Sequence, residues 1–367
     1  MDNHKFFLYI IYIITTTISC HKDTHYDVIP TCSLEVIRTI GVEYAQDSCY
    51  MFGDIKDICC LGDNRIYVLD KAYSCIKIFD QVGTYLGQIS RRGSGPGELI
   101  NPVSMTITEN GEIVVVHSGG VSTFSSDGDF LENPLSGCLN PPIKLAGYSG
   151  DSFIGFKCDF VSQSNGQLLS VMTVGLYNRS ENPEVIYHSD SILFDPSNIG
   201  KMVYSAYNEV AFATDASNVC IAPISSHEYK LTLLSSTADT LSEYICYPTM
   251  NRKTEEEFEH EIEYYNNMFQ FENSHFDANP YRNIVTDIQF NKDSQLWVMR
   301  GSELVPSFDV YNSELEPIYR AVLPRCINNL SDGGIWRFSI GSNYIYLWSE
   351  TPIDYQRIYI LTMGTSL

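Results

Sequence analysis

Much of the common vocabulary of chemistry is missing from this chain. It has no CxxC, so zinc-ribbon and thioredoxin-type readings have no support. It has no GxSxG, which removes the elbow of a serine hydrolase. No histidine pair in the body of the chain has metal-ligand spacing. Basic residues are scarce: 23 Lys and Arg stand against 45 Asp and Glu, for a formal charge of −22. Such a surface repels nucleic-acid phosphates and anionic headgroups, so nucleic acid is excluded as a main partner. No apolar run is long enough to span a bilayer as a mature helix. Charged residues of both signs make up only 19% of the chain.

What is present is apolar and aromatic. Hydrophobic residues are 44% of the 367, and 25 tyrosines help bring aromatics to 13%. That composition suits a folded, strand-rich protein and is ample for a core. The eleven cysteines are unevenly spaced, and Cys75, Cys220 and Cys246 fall in strand-like runs. They read as small apolar residues with free thiols.

The N-terminus reads as a targeting segment. "FFLYIIYII" (6–14) is a short apolar core, and "TTTISC" follows it. The stretch resembles a bacterial lipobox, with a small residue, Ser19, before Cys20. The resemblance implies a signal peptide over 1–19, lipidation of Cys20 and a linker over 20–32, with the membrane engaged only through that anchor.

The body reads as short strands between turn residues, beginning with "RIYVLD" (65–70), "CIKIFD" (75–80) and "TYLGQIS" (84–90). Two patterns recur. "IKIFDQVGTYL" (76–86) resembles "VSTFSSDGDFL" (121–131), and "ITENGEIVVV" (107–116) resembles "FNKDSQLWVM" (290–299) and "ATDASNVCIA" (213–222). The spacing is that of four-stranded propeller blades. Six are expected, at about 54–99, 100–138, 141–188, 205–248, 283–324 and 333–363. The last shows only three strands, and "SLEVIRTI" (33–40) is expected to supply its fourth and close the ring. The fold class is therefore all-β, a single six-bladed β-propeller over 33–367. A helical insert at about 253–272 separates blades four and five. Thr254 and Glu257 form a capping box there, and Phe258, Ile262, Tyr265 and Phe269 share a face.

"RRGSGPGEL" (91–99) could be taken for a phosphate cradle. It lacks the GK[ST] ending, Glu98 replaces the last glycine of GxGxxG, Pro96 removes a donor, and a strand follows instead of a helix. It reads as a turn between blades, with Gly93, Gly95, Pro96, Gly97 and Glu98 as structural residues and Arg91 a partner for Glu98.

From "IKIFDQVGTYLGQISRRGSGPGELINPVSMTIT" onward the chain resembles the six-bladed β-propeller lipoproteins of Bacteroides-type bacteria, relatives of NHL-repeat propellers. The matching positions are Phe79, Asp80, Gly83, Tyr85, Leu86, Gly93, Gly95, Pro96, Gly97 and Glu98. The resemblance implies the fold and an exported lipoprotein, periplasmic or outer-membrane. It implies no catalytic residue.

In a propeller, the loop between strands 2 and 3 and the exit from strand 4 open on one face. That placement gathers Lys71, Tyr73, Arg91, Arg92, His117, Asp159, His227, Glu228, Glu303, Glu350 and Asp354 as ligand-face candidates, with the helix beside them. A binding module is expected, taking a glycan, a peptide or an envelope protein. The alternative is a divalent-cation enzyme of lactonase, esterase or lyase type. Calcium would then sit on oxygen ligands such as Asp54, Asn208 and Asp287.

Overall fold

The computed structural model describes residues 29–44, 48–62, 65–138, 140–195, 210–269, 278–302, 305–323, 334–352 and 354–364. Five blades are four-stranded antiparallel meanders whose strands follow chain order. Blade 1 holds β2 (Ile55–Leu61), β3 (Arg65–Asp70), β4 (Cys75–Asp80) and β5 (Tyr85–Ile89). Blade 2 holds β6 (Ser104–Ile107), β7 (Ile113–His117), β8 (Gly120–Phe124) and β9 (Phe130–Glu132). Blade 3 holds β10 (Lys144–Gly147), β11 (Phe153–Ser162), β12 (Leu168–Tyr177) and β13 (Val185–Leu193), its last three strands being long. Blade 4 is β14 (Val210–Thr214), β15 (Val219–Pro223), β16 (Tyr229–Leu234) and β17 (Thr240–Cys246). Blade 5 is β18 (Val285–Phe290), β19 (Leu296–Arg300), β20 (Ser307–Tyr311) and β21 (Pro317–Val322).

Blade 6 is completed from both ends of the chain. To β22 (Trp336–Ile340), β23 (Ile345–Ser349) and β24 (Ile358–Met363) it adds β1 (Thr31–Ile40) as its outermost strand. β1 runs antiparallel to β24, from Leu34 opposite Met363 to Ile40 opposite Ile358. Its first residues also run parallel to β21, with Thr31 opposite Arg320 and Ser33 opposite Val322. One strand thus joins blades 5 and 6 into an eight-stranded sheet.

Burial follows position in the blade. β3, β4, β7 and β8 are buried almost throughout, because neighbouring blades cover both faces. The outer β5 and β17 alternate, with one face in solvent. Tyrosines stitch adjacent blades: the Tyr67 hydroxyl donates to Ser126 O, Tyr187 to Ser236 O and Tyr346 to Gln81 O. Most of the recurring sequence patterns are one kind of turn, whereas 213–222 makes a tighter one in which the Asp215 amide donates to Asn218 O. At 80–84, 108–112, 125–129, 235–239, 291–295 and 312–316 the first residue's amide donates to the fifth residue's carbonyl, and the fourth residue's amide donates back to the first. The fourth residue has positive φ, which glycine takes without strain at Gly83, Gly111 and Gly128.

The insert is helix α1 (Glu255–Phe269). The Glu257 amide donates to Thr254 Oγ1 at 3.2 Å, and the Thr254 amide to Glu257 Oε2 at 2.6 Å, so the expected capping box is formed. Phe258, Ile262 and Tyr265 pack with Ala278 and Ile335. The Phe269 side chain lies outside the described residues. Nine described cysteines are free thiols, with Cys75, Cys138 and Cys220 buried.

Candidate functional site

The first strand of each blade lines a central channel of about 450 Å³. Its character changes along its length. At the end where blades begin stand Lys56, Lys71, Arg337 and Glu350, with Tyr264 and Tyr265 of α1. Midway are Asp57, Lys144 and Asp287, and the far end is lined by Cys59, Cys60, Ile107, Phe290 and Ile340.

At the helix end one carboxylate organises several donors. Glu350 accepts Arg337 Nε at 2.9 Å on Oε1 and the Tyr264 hydroxyl at 2.8 Å on Oε2. Burial pushes its pKa up, but Arg337 and then Lys56 overrule burial and hold it below the usual carboxylate range. Burial, then Glu350, keeps the Tyr264 hydroxyl protonated, so it stays a donor. Arg337 Nη1 also reaches Thr286 O at 3.4 Å. Lys56 pairs with Asp54 at 2.9 Å. The helix is held in place by Arg282, whose Nε and Nη2 bind the two Glu257 oxygens at 2.9 and 2.7 Å, and by the ion pair of Lys253 with Glu261.

Below this lie two aspartates in equivalent positions. Asp57 and Asp287 each follow a bulge at the start of an inner strand, and each accepts its successor's amide at 3.0 Å. Asp57 Oδ2 also accepts Ser104 Oγ at 3.1 Å and the Met105 amide at 3.0 Å from blade 2. Burial raises the Asp57 pKa to about 7, with a smaller push from Asp287. Burial raises Asp287 to about 6, tempered by Arg337 and Lys144. Lys144 is lowered to about 8 by burial and then by Arg337. These groups titrate where a protein in neutral solution can use them. The thiols at the far end do not: burial lifts Cys60 to about 12 and Cys59 well above its ordinary value.

The sequence-predicted face is only partly brought together. Lys71 and Glu350 line the channel. Tyr73 is half exposed beside blade 1, with Lys77 Nζ 4.7 Å from its ring centroid. Arg91 pairs with Glu98 at 2.9 Å. Arg92 forms an isolated bridge to Leu99. Glu98 Oε2 also accepts the Gly95 amide at 2.9 Å, and a Cβ on Gly93 would meet that carboxylate. The glycine-rich loop is therefore closed on itself as a turn. His117 is a buried, satisfied histidine: Nε2 bonds Ser122 Oγ at 2.9 Å and Nδ1 accepts the Gly119 amide at 3.1 Å. His227 bonds Ser225, Glu228 accepts the Tyr247 hydroxyl at 3.4 Å, and Asp354 pairs with Arg357. Asp159 pairs with Lys157 at 3.3 Å. Glu303, Cys20 and Asn208 lie outside the described residues.

Sequence reasoning passed over Arg337, Lys144, Lys56, Asp57 and Tyr264. The one available signal was the pair "IKDI" (55–58) and "VTDI" (285–288), which puts an aspartate at the same inner-strand position twice. Among the described residues no group of three or more His, Cys, Asp or Glu could hold a metal ion, and no helix is long and apolar enough to cross a membrane.

A protein family described as a 6-bladed beta-propeller matches residues 33–346. No curated protein matches the chain. Among solved structures, a streptogramin B lyase is 11% identical, with 90% of this chain and 98% of that chain covered at a TM-score of 0.49. A virginiamycin B lyase from Staphylococcus aureus is 9% identical, with 90% and 100% covered at 0.47. A candidate exported protein from Bacteroides fragilis is 13% identical, with 91% and 99% covered at 0.45.

Proposed function

The chain belongs to this family of six-bladed β-propellers, and on that premise we propose that it is an exported, lipid-anchored ligand-binding module of the cell envelope. The ligand site is the helix-covered end of the channel. The observation that carries this reading is the convergence of Lys56, Lys71, Arg337, Glu350 and Tyr264 from blade 1, blade 6 and α1 on one opening. About 450 Å³ falls within the roughly 300–1,000 Å³ of ordinary small-molecule sites. Its wall is a few polar groups held by internal hydrogen bonds, which suits orientation and selectivity. The anchor fits the same picture. β1 is the outermost strand of its blade, so a lipid at Cys20 would join the propeller at its rim, through Thr31, and not through the channel. Glycan fragments and short peptides are the ligand classes that fit an exported protein.

The test is the melting temperature of the full-length chain in detergent against monosaccharides, sugar acids and short peptides. A ligand at a hundredfold excess over its dissociation constant stabilises the folded state by about 2.7 kcal/mol. Binding that is unchanged by Lys71→Gln and Glu350→Gln would sink the site assignment. A second reading, a propeller enzyme, is favoured by one observation: Asp57 and Asp287 face the same channel with pKa values near neutrality. Turnover of a lactone or ester that is abolished by Asp287→Asn would establish it. A calcium-dependent rise in melting temperature, reversed by a chelator, would add the cation.

A further inference from the structure

The channel's hydrogen-bonding capacity is spent unevenly, and the remainder describes a ligand. Its acceptors are mostly used. Asp54 is taken by Lys56. Both Glu350 oxygens are taken by Arg337 and Tyr264. Both Asp57 oxygens are taken by Ile58, Ser104 and Met105. Its donors are not used up. The Lys71 ammonium has no hydrogen-bond or ion-pair partner among the described residues, although burial and the neighbouring Lys56 already press it toward losing its proton. Arg337 commits Nε and Nη1, and its Nη2 has no acceptor among the described residues. One acceptor is left over: Asp287 uses Oδ1 for the Ile288 amide, and Oδ2 has no hydrogen-bond donor among those residues.

We infer that the channel takes a small hydroxylated carboxylate, about the size of a sugar acid, with its acid group toward Lys71 and Arg337 and a hydroxyl toward Asp287. This rests on the channel-binding reading above and names its ligand class. Two spare cationic donors call for an anion, since charge-assisted hydrogen bonds to a carboxylate are the strong ones. The spare carboxylate oxygen calls for a donor on the same molecule. A neutral sugar would leave the Lys71 charge unanswered, and a bare anion would leave Asp287 unanswered. Binding would also relieve a real cost at Lys71, which is partly desolvated with no hydrogen-bond or ion-pair partner among the described residues.

The experiment is calorimetric titration of the full-length chain in detergent with D-glucuronate and, separately, with D-glucose. Wild type, Lys71→Gln and Asp287→Asn are compared, with unliganded melting curves confirming that each variant folds. The expected result is glucuronate binding at least tenfold tighter than glucose. Lys71→Gln should erase that preference, and Asp287→Asn should weaken both sugars. Equal binding of the two sugars, unaffected by Lys71→Gln but weakened by Asp287→Asn, would overturn the acid preference and leave the channel reading standing. Glucuronate binding that ignores both substitutions would overturn both readings. No binding of glucuronate would overturn the ligand class.

Discussion

Blades 1 and 5 open with the same device and put it to different uses. In each, a bulge turns an aspartate toward the channel and the next amide fixes one of its oxygens. Blade 1 then surrounds Asp57 with neutral donors from blade 2, so its hydrogen bonds are complete and burial prevails, up to about 7. Blade 5 sets Asp287 near two cations, Arg337 and Lys144, and leaves one oxygen without a hydrogen bond among the described residues, with a pKa of about 6. One carboxylate joins two blades; the other is held ready. A repeat fold places a side chain at an equivalent point in every blade, and the neighbouring blade decides what it does.

The strongest way to break this contrast is to remove a cation from the blade 5 side. Arg337→Met strips Glu350 of its hydrogen-bonded counter-charge, leaving it nearly buried with the more weakly coupled Lys56. Losing one partner of such a pair costs about 3–5 kcal/mol, which urea unfolding would register. The direct comparison comes next. Asp57→Asn leaves one of three donors poorly matched and should cost about 1–3 kcal/mol, whereas Asp287→Asn, with one hydrogen bond to keep, should cost less than about 1 kcal/mol. If Asp287→Asn proves the more damaging, the assignment of roles is reversed.

Acidity sharpens the comparison further. Both folded-state values lie above the ordinary 3.8, so both aspartates bind protons more tightly folded than unfolded. Their contribution to stability is full below about pH 4 and is lost progressively as pH rises from there through about 6 for Asp287 and about 7 for Asp57. Asp57→Asn and Asp287→Asn should therefore each flatten the fall of the wild-type stability curve between about pH 4 and neutrality. Melting temperatures taken across pH 4 to 8 would show it. The smallest effect belongs outside the channel. Glu98→Gln weakens an exposed pair with Arg91, and its melting curve should overlay wild type at high salt.

How much of this the sequence disclosed depends on whether a feature repeats. The blades were legible because the same five-residue turn recurs, so Asp80 to Thr84 announces Ser125 to Asp129 and its kin. The closing strand was legible because blade 6 was visibly one strand short. The helix was legible from Thr254 and Glu257. Lys71 and Glu350 followed from counting loops. Arg337 and Lys144 did not, because each is a single cation in a mostly apolar inner strand, and nothing in its own segment marks the side it faces. Tyr264 belongs to the helix but stands off the expected stripe, one position before Tyr265. It reaches Glu350 only because blade 6 lies there.

The strand that closes the ring also sets its schedule. β1 is made first, yet its partners on β21 and β24 come roughly 300 residues later. Until residue 363 is available, the outer edges of blades 5 and 6 stand bare and side by side, and a chain cut short would present both to its neighbours. Completion of the circle thus requires β1, β21 and β24 together. Closure therefore depends on ten residues, Thr31–Ile40, that seal the edges of two blades at once.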